Sequence, residues 1–289
     1  AGMTDPQPAP PTTTCYRHPD RPTRIFCARC GRPICPECMT PAPVGFQCPE
    51  CIRAGSAGVR RPRPTPALRR AGRRWGGVTL GLISLNVVMF VVTAVSAALA
   101  GADPLDNFRS PLFAELSQVP ILVYLGEDWR LLTAAFLHIG PTHLVLNMLG
   151  LLLFGSELEH RLGRWRFLVL YLFSALGGAV ALQMFGEPGR PVAGASAAIY
   201  GLLGGLAVLM LAHRQDLRGL LTLLAINVVI SFLPGVSLLG HLGGLVTGFV
   251  TAGILVLARR RTEVQVLGLM LLGGTLAVLA LTVPTLVVL

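Results

Sequence analysis

The stretch VAGASAAIYGLLGG, residues 192–205, places a single serine in a run of otherwise small and apolar residues. Ser196 lies among Gly194, Ala195 and Ala197, and the residues that follow are apolar enough for a membrane. Polar groups inside a membrane are costly, and they usually face the interior of a helix bundle or a water-filled cavity. This run therefore predicts a membrane helix that begins with a hydroxyl facing its neighbours.

The composition of the whole chain is typical of a membrane protein. Of the 289 residues, 53% are hydrophobic and only 13% are charged, whereas a soluble domain carries about 25% charged residues. A bilayer core of about 30 Å is crossed by about 20 apolar residues in a helix. Seven spans are predicted, at about 77–100, 141–157, 167–185, 196–212, 219–233, 239–258 and 264–286.

The distribution of arginine predicts the direction of these spans. The net charge is +10, and all 24 basic residues are arginine. Arginine is enriched on the cytoplasmic side of membranes. The run RRPRPTPALRRAGRRW precedes the first span, and EHRLGRWR, AHRQDLRG and ARRRTEV follow the second, fourth and sixth spans. The N-terminus is therefore predicted to be cytoplasmic and the C-terminus extracytoplasmic, and no nucleic-acid partner is needed to explain the charge.

Spans two, four and six then begin at the outer face, so their first turns share one depth. His143 and Asn147 lie four residues apart on one face of the second span, Ser196 opens the fourth, and His241 lies one turn into the sixth. A lone serine in a membrane helix is usually a packing residue. Four polar residues at the same depth on three helices instead predict a common site.

Glycine spacing predicts that two of these helices approach closely. Gly240, Gly244 and Gly248 recur every four residues in span six, and Gly201 and Gly205 do so in span four. Small residues at this spacing allow helix backbones to touch. A Ser–His hydrogen bond, which requires about 2.6–3.2 Å between heavy atoms, fits such a crossing, although glycine seams also occur in bundles that catalyse nothing.

Residues from about 77 to 258 resemble the rhomboid intramembrane serine proteases. The segments that carry this resemblance are WR (Trp129, Arg130), HIGPTHLVLN (His138, His143, Asn147), GAS with Ser196 followed by Tyr200, and GHLGGLVTG with His241, Gly244 and Gly248. The resemblance implies a six-helix core with Ser196 as nucleophile, His241 as base and no third acid. It also implies an oxyanion hole formed by His143, Asn147 and the Ser196 N–H.

Two details qualify the resemblance. The family pattern is usually Gly-x-Ser-Gly, whereas Ala197 follows the serine here, and its methyl group adds bulk near the site without removing a catalytic atom. Trp129 and Arg130 lie in the long segment 101–130, which is too polar to span a membrane. We expect this pair to anchor the loop at the interface and to have no catalytic role.

The N-terminal cysteines predict a metal module. All seven cysteines, together with His18, form four pairs with two residues between partners: Cys15 and His18, Cys27 and Cys30, Cys35 and Cys38, Cys48 and Cys51. Eight such ligands suit two closed, structural, tetrahedral zinc sites, and a cytoplasmic location disfavours disulfides.

The spacing leaves both sequential and interleaved pairing of these ligands open. The segment resembles B-box zinc fingers, whose ligands interleave. The resemblance implies one site made of Cys15, His18, Cys35 and Cys38, and a second made of Cys27, Cys30, Cys48 and Cys51.

The predicted fold class is an all-α polytopic membrane protein, with a six-helix core, a seventh C-terminal span and a double-zinc module. The predicted order is a disordered N-terminus (1–14), the zinc module (15–53), a basic linker (54–75), the catalytic membrane domain (76–258) and an additional helix (259–289).

The leading functional hypothesis is a serine endopeptidase that cleaves transmembrane proteins near the outer face of a bilayer. The alternative is a non-catalytic membrane adaptor that presents the zinc module to a cytoplasmic protein partner. A transporter is disfavoured because no span carries a buried carboxylate or arginine that would couple ion movement. The absence of lysine and the abundance of arginine, alanine and glycine suggest a GC-rich bacterial genome, and hence the bacterial plasma membrane.

Overall fold

The computed structural model describes residues 13–56, 67–232 and 236–282. The chain divides into two compact units, residues 1–65 and 66–289. Most of the predicted disordered N-terminus, the middle of the predicted basic linker and the last residues of the fifth and seventh predicted spans lie outside the described residues. The five predicted domains and the boundaries between them stay predictions.

The first unit is small and has little regular structure. Its elements are the hairpin strands β1 (Thr13–Thr14) and β2 (Pro22–Thr23), the hairpin strands β3 (Thr40–Pro41) and β4 (Phe46–Gln47), and helix α1 (Pro49–Ser56). Its interior consists of cysteine side chains and Ile34, which is fully buried. So few apolar side chains do not stabilise a domain of this size, and small domains of this kind usually rely on metals or disulfides.

In the second unit, the regular elements that the structure describes are helices, apart from one isolated β-bridge between Gln118 and Val192. Its helices are α2 (Ala67–Trp75), α3 (Gly77–Leu99), α4 (Pro111–Leu116), α5 (Pro120–Tyr124), α6 (Arg130–Thr133), α7 (Gly140–Gly150), α8 (Ser156–Leu162), α9 (Arg164–Phe185), α10 (Ser196–Ala212), α11 (Arg218–Ile230), α12 (Leu238–Leu257) and α13 (Thr262–Thr282). Each of the seven predicted spans corresponds to a helix or to the continuous pair α7–α8. The chain is a multi-pass membrane protein.

The spans differ in length. Helices α3, α9, α12 and α13 are long and apolar enough to cross a bilayer alone. Helix α10 has 17 residues and α11 has 13, which correspond to about 26 Å and 20 Å at 1.5 Å per residue. Most of α10 is buried among its neighbours. Neighbouring helices therefore shield this short span.

The second span is longer than predicted. Helix α7 continues through a π-helical turn, Leu151–Gly155, into α8, which ends at Leu162 rather than near residue 157. The charged residues of α8 are typical of a loop, and the sequence therefore predicts that the span ends before them. Glu159 is nevertheless only 5% exposed, and it accepts hydrogen bonds from the N–H groups of Val78 (3.0 Å) and Thr79 (2.8 Å). A carboxylate there satisfies the free N–H groups at the start of α3 and complements its dipole.

Helices α9, α10 and α12 form the centre of this unit, and the backbones of α10 and α12 touch. A Cβ atom added to Gly244 would overlap the carbonyl group of Ala197, and one added to Gly248 would overlap the backbone of Gly201. The close approach predicted from the glycine spacing is therefore present. Of the other spaced glycines, Gly205 faces side chains of α9 and α12 rather than backbone.

The methyl group of Ala197, the residue that departs from the family pattern, has a defined place. A Cβ atom added to Gly178 of α9 would overlap the Ala197 Cβ. The methyl group therefore occupies the space that Gly178 leaves free, and α9 accommodates the added bulk.

The segment between α3 and α6, which is the predicted first outer loop, folds around Arg130. This side chain is 3% exposed, and its guanidinium donates to the carbonyl groups of Ala114 (2.6 Å) and Ser117 (2.8 Å). The Trp129 indole N–H donates to the Glu115 carbonyl at 3.3 Å. Both side chains therefore bind the loop's own backbone, which keeps α4 and α6 together.

We predict that Gly248→Ala destabilises the membrane unit by about 1–3 kcal/mol, because the added methyl would force apart two packed backbones. The measurement is thermal unfolding of the full chain in mild detergent. Gly253→Ala is the matched control on the same helix, since a Cβ there meets no atom within 4 Å. Equal melting temperatures for the two variants would contradict the close packing of α10 and α12.

Candidate active site and metal centres

Two polar side chains meet at the N-terminal ends of α10 and α12. Ser196 is the first residue of α10, and His241 lies in the first turn of α12. The Ser196 Oγ and the His241 Nε2 are 2.9 Å apart, within hydrogen-bonding distance. The chain enters α10 through Gly194, whose φ of +137° suits only glycine, and the Gly194 N–H donates to the Ala134 carbonyl at 2.9 Å.

The imidazole of His241 is held on several sides. It is 6% exposed, and the Tyr200 ring stacks on it at 4.1 Å between centroids, with 13° between planes. Its Nδ1 lies 2.6 Å from the Ser231 Oγ, which is in turn 2.9 Å from the Tyr200 hydroxyl. Both ring nitrogens therefore have hydroxyl partners, so the orientation of the ring is fixed.

Sequence reasoning missed Ser231. This residue lies at the end of α11. The site predicted from the sequence included only residues in the first turns of spans two, four and six. Span five runs in the opposite direction, so its last turn reaches the same depth as those first turns. A polar residue at the C-terminal end of an odd-numbered span was the signal that would have identified it.

His143 faces the same space as Ser196. The Ile139 N–H donates to His143 Nδ1 at 3.2 Å, so a neutral His143 ring carries its proton on Nε2. The Cβ position of Gly194, which no atom of that residue occupies, lies 3.0 Å from His143 Nε2 and 3.6 Å from Ser196 Oγ. His143 Nε2 and the Ser196 hydroxyl thus both lie beside Gly194.

Asn147 and His138 lie beside this cluster. Asn147 is 6% exposed, and its amide donates to the His143 carbonyl at 2.9 Å, while its Oδ1 has no hydrogen-bond partner among the described residues. The His138 ring is fully buried, 5.1 Å from the His143 ring. The structure therefore brings Ser196, His241 and His143 together directly, with Asn147 one turn further along α7.

The eight N-terminal ligands gather into two clusters of four. The ligand atoms of each cluster lie within 4.8 Å of one another, and the two clusters are Cys15, His18, Cys35 and Cys38, and Cys27, Cys30, Cys48 and Cys51. This grouping is the interleaved arrangement, in which the chain alternates between clusters. Neither cluster includes a carboxylate, and all seven cysteines are free thiols.

The distances within the clusters fit a tetrahedral metal. Two sulfurs bound at about 2.3 Å to a tetrahedral zinc lie about 3.8 Å apart, and Cys30 Sγ and Cys48 Sγ are 3.8 Å apart. In the other cluster, the His18 Nδ1 is 3.3 Å from Cys35 Sγ and 3.5 Å from Cys38 Sγ. The donor sets, three sulfurs with one nitrogen and four sulfurs, are those of structural zinc sites.

Backbone N–H groups prepare some of these thiols for metal binding. Burial raises the pKa of the Cys27 thiol, but N–H groups of Cys48, Arg29 and Cys30 more than offset this effect and bring the pKa down to about 6. The Cys48 N–H donates to the Cys27 Sγ at 3.2 Å. A thiolate, rather than a thiol, is the metal ligand, so the fold stabilises the binding form of this side chain.

Two families match separate parts of the chain. The Rhomboid domain matches residues 125–258, which include all four candidate site residues. The B-box zinc finger matches residues 10–42. Cys48 and Cys51 lie beyond that match, so the structure rather than the family adds them to the second cluster.

Several relatives are similar to the membrane unit. A putative rhomboid protease YdcA of Bacillus subtilis is 36% identical over 143 residues, which are 47% of this chain and 71% of the relative. Rhomboid protease GluP of Bacillus subtilis is 33% identical over 179 residues, which are 60% of this chain and 34% of the relative. RHOMBOID-like protein 6, mitochondrial, of Arabidopsis thaliana is 40% identical over 139 residues, which are 46% of this chain and 45% of the relative.

The match spans less than half the length of the last two relatives, but more than two thirds of the first. The relatives come from a bacterium and from a plant, so a bacterial source stays a prediction. Three observations indicate the same family: the matched domain, the helical architecture and the 71% of YdcA that the match covers. This chain belongs to the rhomboid family and carries a B-box zinc finger before its rhomboid domain.

Proposed function

We propose that the chain is an intramembrane serine endopeptidase that hydrolyses peptide bonds in or near the transmembrane segments of other membrane proteins. The observation that carries this proposal is the 2.9 Å contact between Ser196 Oγ and His241 Nε2. A serine hydroxyl is a weak nucleophile until a neighbouring base takes its proton. Relatives named rhomboid proteases support the same reaction.

The hydrogen bonds around Ser231 favour the tautomer that His241 needs as a base. The Ser231 hydroxyl has one proton, and it donates to the Asn227 carbonyl at 2.9 Å. The Ser231 Oγ is then an acceptor for the N–H at His241 Nδ1, which leaves His241 Nε2 unprotonated. That nitrogen is free to accept the Ser196 proton as the serine attacks and to return it to the leaving amine.

The space between the His143 ring and the start of α10 is the proposed position of the oxyanion. His143 Nε2–H borders it, and the Ser196 N–H at the start of α10 supplies a second donor and the positive end of the helix dipole. Removing one such donor costs about 10²–10³ in kcat in a model protease. Asn147 is the proposed third donor, through the amide hydrogen that the His143 carbonyl does not take.

The proposed substrates follow from the location of the site within a bilayer. A helical substrate hides its carbonyl carbons, so it must unwind locally at the end of its own span before Ser196 attacks. The site lies at the outer ends of α10 and α12, where water for hydrolysis is close at hand. The lipid bilayer and transmembrane proteins are therefore the proposed partners.

The arrangement of arginines supports the proposed orientation. Basic residues lie at or beside the connections α8–α9, α10–α11 and α12–α13. Five of the basic residues there line one cavity, namely Arg161, Arg166, His213, Arg259 and Arg260. Three basic connections at one end of the bundle fit a cytoplasmic end. The N-terminus is accordingly proposed to be cytoplasmic and the C-terminus extracytoplasmic.

We predict that Ser196→Ala and His241→Ala each lower the cleavage of a model transmembrane substrate by more than about 10³-fold, because nucleophile and base act as a unit. The measurement is the initial rate of cleavage with purified full-length protein in proteoliposomes. Ser84→Ala is the control, since Ser84 is an exposed serine on α3 that bonds only its own helix. Cleavage that survives both site variants would rule out the dyad and favour the non-catalytic adaptor.

We predict that Ser231→Ala lowers kcat by about tenfold with little change in KM, because Ser231 positions His241 and does not touch substrate. This is the size expected for the loss of one buried hydrogen bond to the base. Ser231→Thr retains the hydroxyl and should recover most of the activity. Wild-type kcat in Ser231→Ala, or equal losses in the two variants, would contradict a positioning role.

We also propose that the two cysteine clusters each hold one structural zinc ion. Tetrahedral zinc would cross-link the two hairpins and replace the apolar core that this short segment lacks. Neither site has a position left open for substrate. The module's proposed role is to bind a cytoplasmic protein, and its chemistry does not take part in peptide hydrolysis.

We predict that the purified full chain contains about two zinc ions, measured by mass spectrometry of total metal. Cys15→Ser combined with Cys38→Ser should leave about one ion, because both ligands belong to one interleaved site. Cys15→Ser combined with Cys27→Ser weakens both sites and should make both ions accessible to a chelator. Sequential pairing would be supported by the opposite pattern. In that case the Cys15/Cys38 double variant would weaken both sites, and the Cys15/Cys27 double variant would lose one ion.

A further inference from the structure

A second cavity lies at the ends of the helices opposite to Ser196. Its volume is about 690 Å³. It is lined by residues from the ends of α8, α10 and α12 and from the start of α9. Neither the proposed peptidase reaction nor the zinc module uses it.

The walls of this cavity combine an apolar floor with a basic rim. Leu162, Leu209 and Leu255 form the floor and are buried, with exposures between 2% and 9%. The rim is made of exposed side chains, namely Arg161, Arg166, His213, Arg259 and Arg260. A ligand that fits this surface carries negative charge on one part and apolar groups on another.

Most of the positive charge on the rim is not compensated. Arg161 pairs with Glu157, with 2.6 Å between Nε and Oε1. Arg166 Nε donates at 3.1 Å to the side-chain oxygen of Gln265, a neutral group that orients the guanidinium and leaves its charge free. The guanidinium groups of Arg259 and Arg260 make no hydrogen bond or ion pair with any residue in 13–56, 67–232 or 236–282.

The side chain of Gln265 is itself held in place by burial and by a hydrogen bond, so this side of the rim has a defined structure. It is 5% exposed, and its amide donates to the Leu255 carbonyl at 2.9 Å. A buried amide thus links the floor of the cavity to the arginine on its rim. The orientation of Arg166 is therefore set by the packing of α9, α12 and α13.

We propose that this cavity binds the phosphate headgroup of an anionic membrane phospholipid, with the start of its acyl chains on the leucine floor. Basic pockets between transmembrane helices on the cytoplasmic side are suited to such headgroups. The bidentate geometry of arginine matches phosphate oxygens. The apolar floor favours a lipid over a soluble phosphate, because inorganic phosphate has no apolar part to place against leucine side chains.

The test measures lipid retention by the full-length protein in nonionic detergent, using native mass spectrometry. Phosphatidylglycerol is titrated against phosphatidylcholine with the same acyl chains. We expect one tightly bound phosphatidylglycerol per chain and weaker binding of phosphatidylcholine. Arg259→Gln combined with Arg260→Gln should weaken phosphatidylglycerol binding about 25-fold, at about fivefold for each arginine near an anionic headgroup.

Arg214→Gln combined with Arg218→Gln is the matched control. Arg214 lies on the connection α10–α11 and Arg218 is the first residue of α11; both are exposed, and neither lines the cavity. We expect this pair to change binding less than about twofold. Equal losses in the two double variants would show diffuse attraction of lipid to positive charge and would overturn the proposal.

A filling variant separates the cavity from its charge. Ala212→Phe places a ring in the cavity from its exposed lining, with every arginine retained, and should reduce lipid retention as strongly as loss of the arginines. Millimolar inorganic phosphate should not displace the lipid. Binding of phosphate in place of lipid, or unchanged lipid binding in the filling variant, would overturn the assignment to phospholipid.

Discussion

The contact between the backbones of α10 and α12 is the constraint on which the candidate site depends. Gly244 and Gly248 have no side chain where the backbone of Ala197 and Gly201 passes. Ala197 follows Ser196 directly, and Gly244 lies three residues after His241, so the contact occurs within one turn of both polar side chains. A wider crossing would move the hydroxyl and the imidazole out of hydrogen-bonding range, because neither side chain is long enough to bridge the added distance.

Burial in an apolar bundle has a second consequence, since a buried polar group that finds no partner inside the protein is costly. Ser231 and Tyr200 meet this need for His241 and, in doing so, fix the ring. Glu159 meets it for the start of α3, and Arg130 meets it for the carbonyl groups of the first outer loop. In this protein, the groups that satisfy buried polar atoms are also those that hold the site and its surroundings in place.

The N-terminal module differs from the membrane unit in what is available to stabilise its fold. Its buried interior is made of cysteine side chains around Ile34, so apolar burial contributes little to its stability. Under the proposed zinc binding, the two ligand clusters take over that function, and their interleaved order would tie both hairpins together. The same composition that makes the segment polar and rich in proline therefore remains compatible with a defined fold once metal is bound.

The sequence by itself determined the helical class, the location of the seven apolar segments that form helices, the close approach of α10 and α12 and the identity of the ligand pairs. Hydropathy, arginine distribution and fixed residue spacing are local properties of the chain, so they can be read from the sequence alone. It did not determine that Ser231 contacts His241, that Glu159 caps α3, that the methyl of Ala197 fits beside Gly178, or how the eight ligands divide. Each of these depends on which residues of distant segments meet, and only the packing of the tertiary structure decides that.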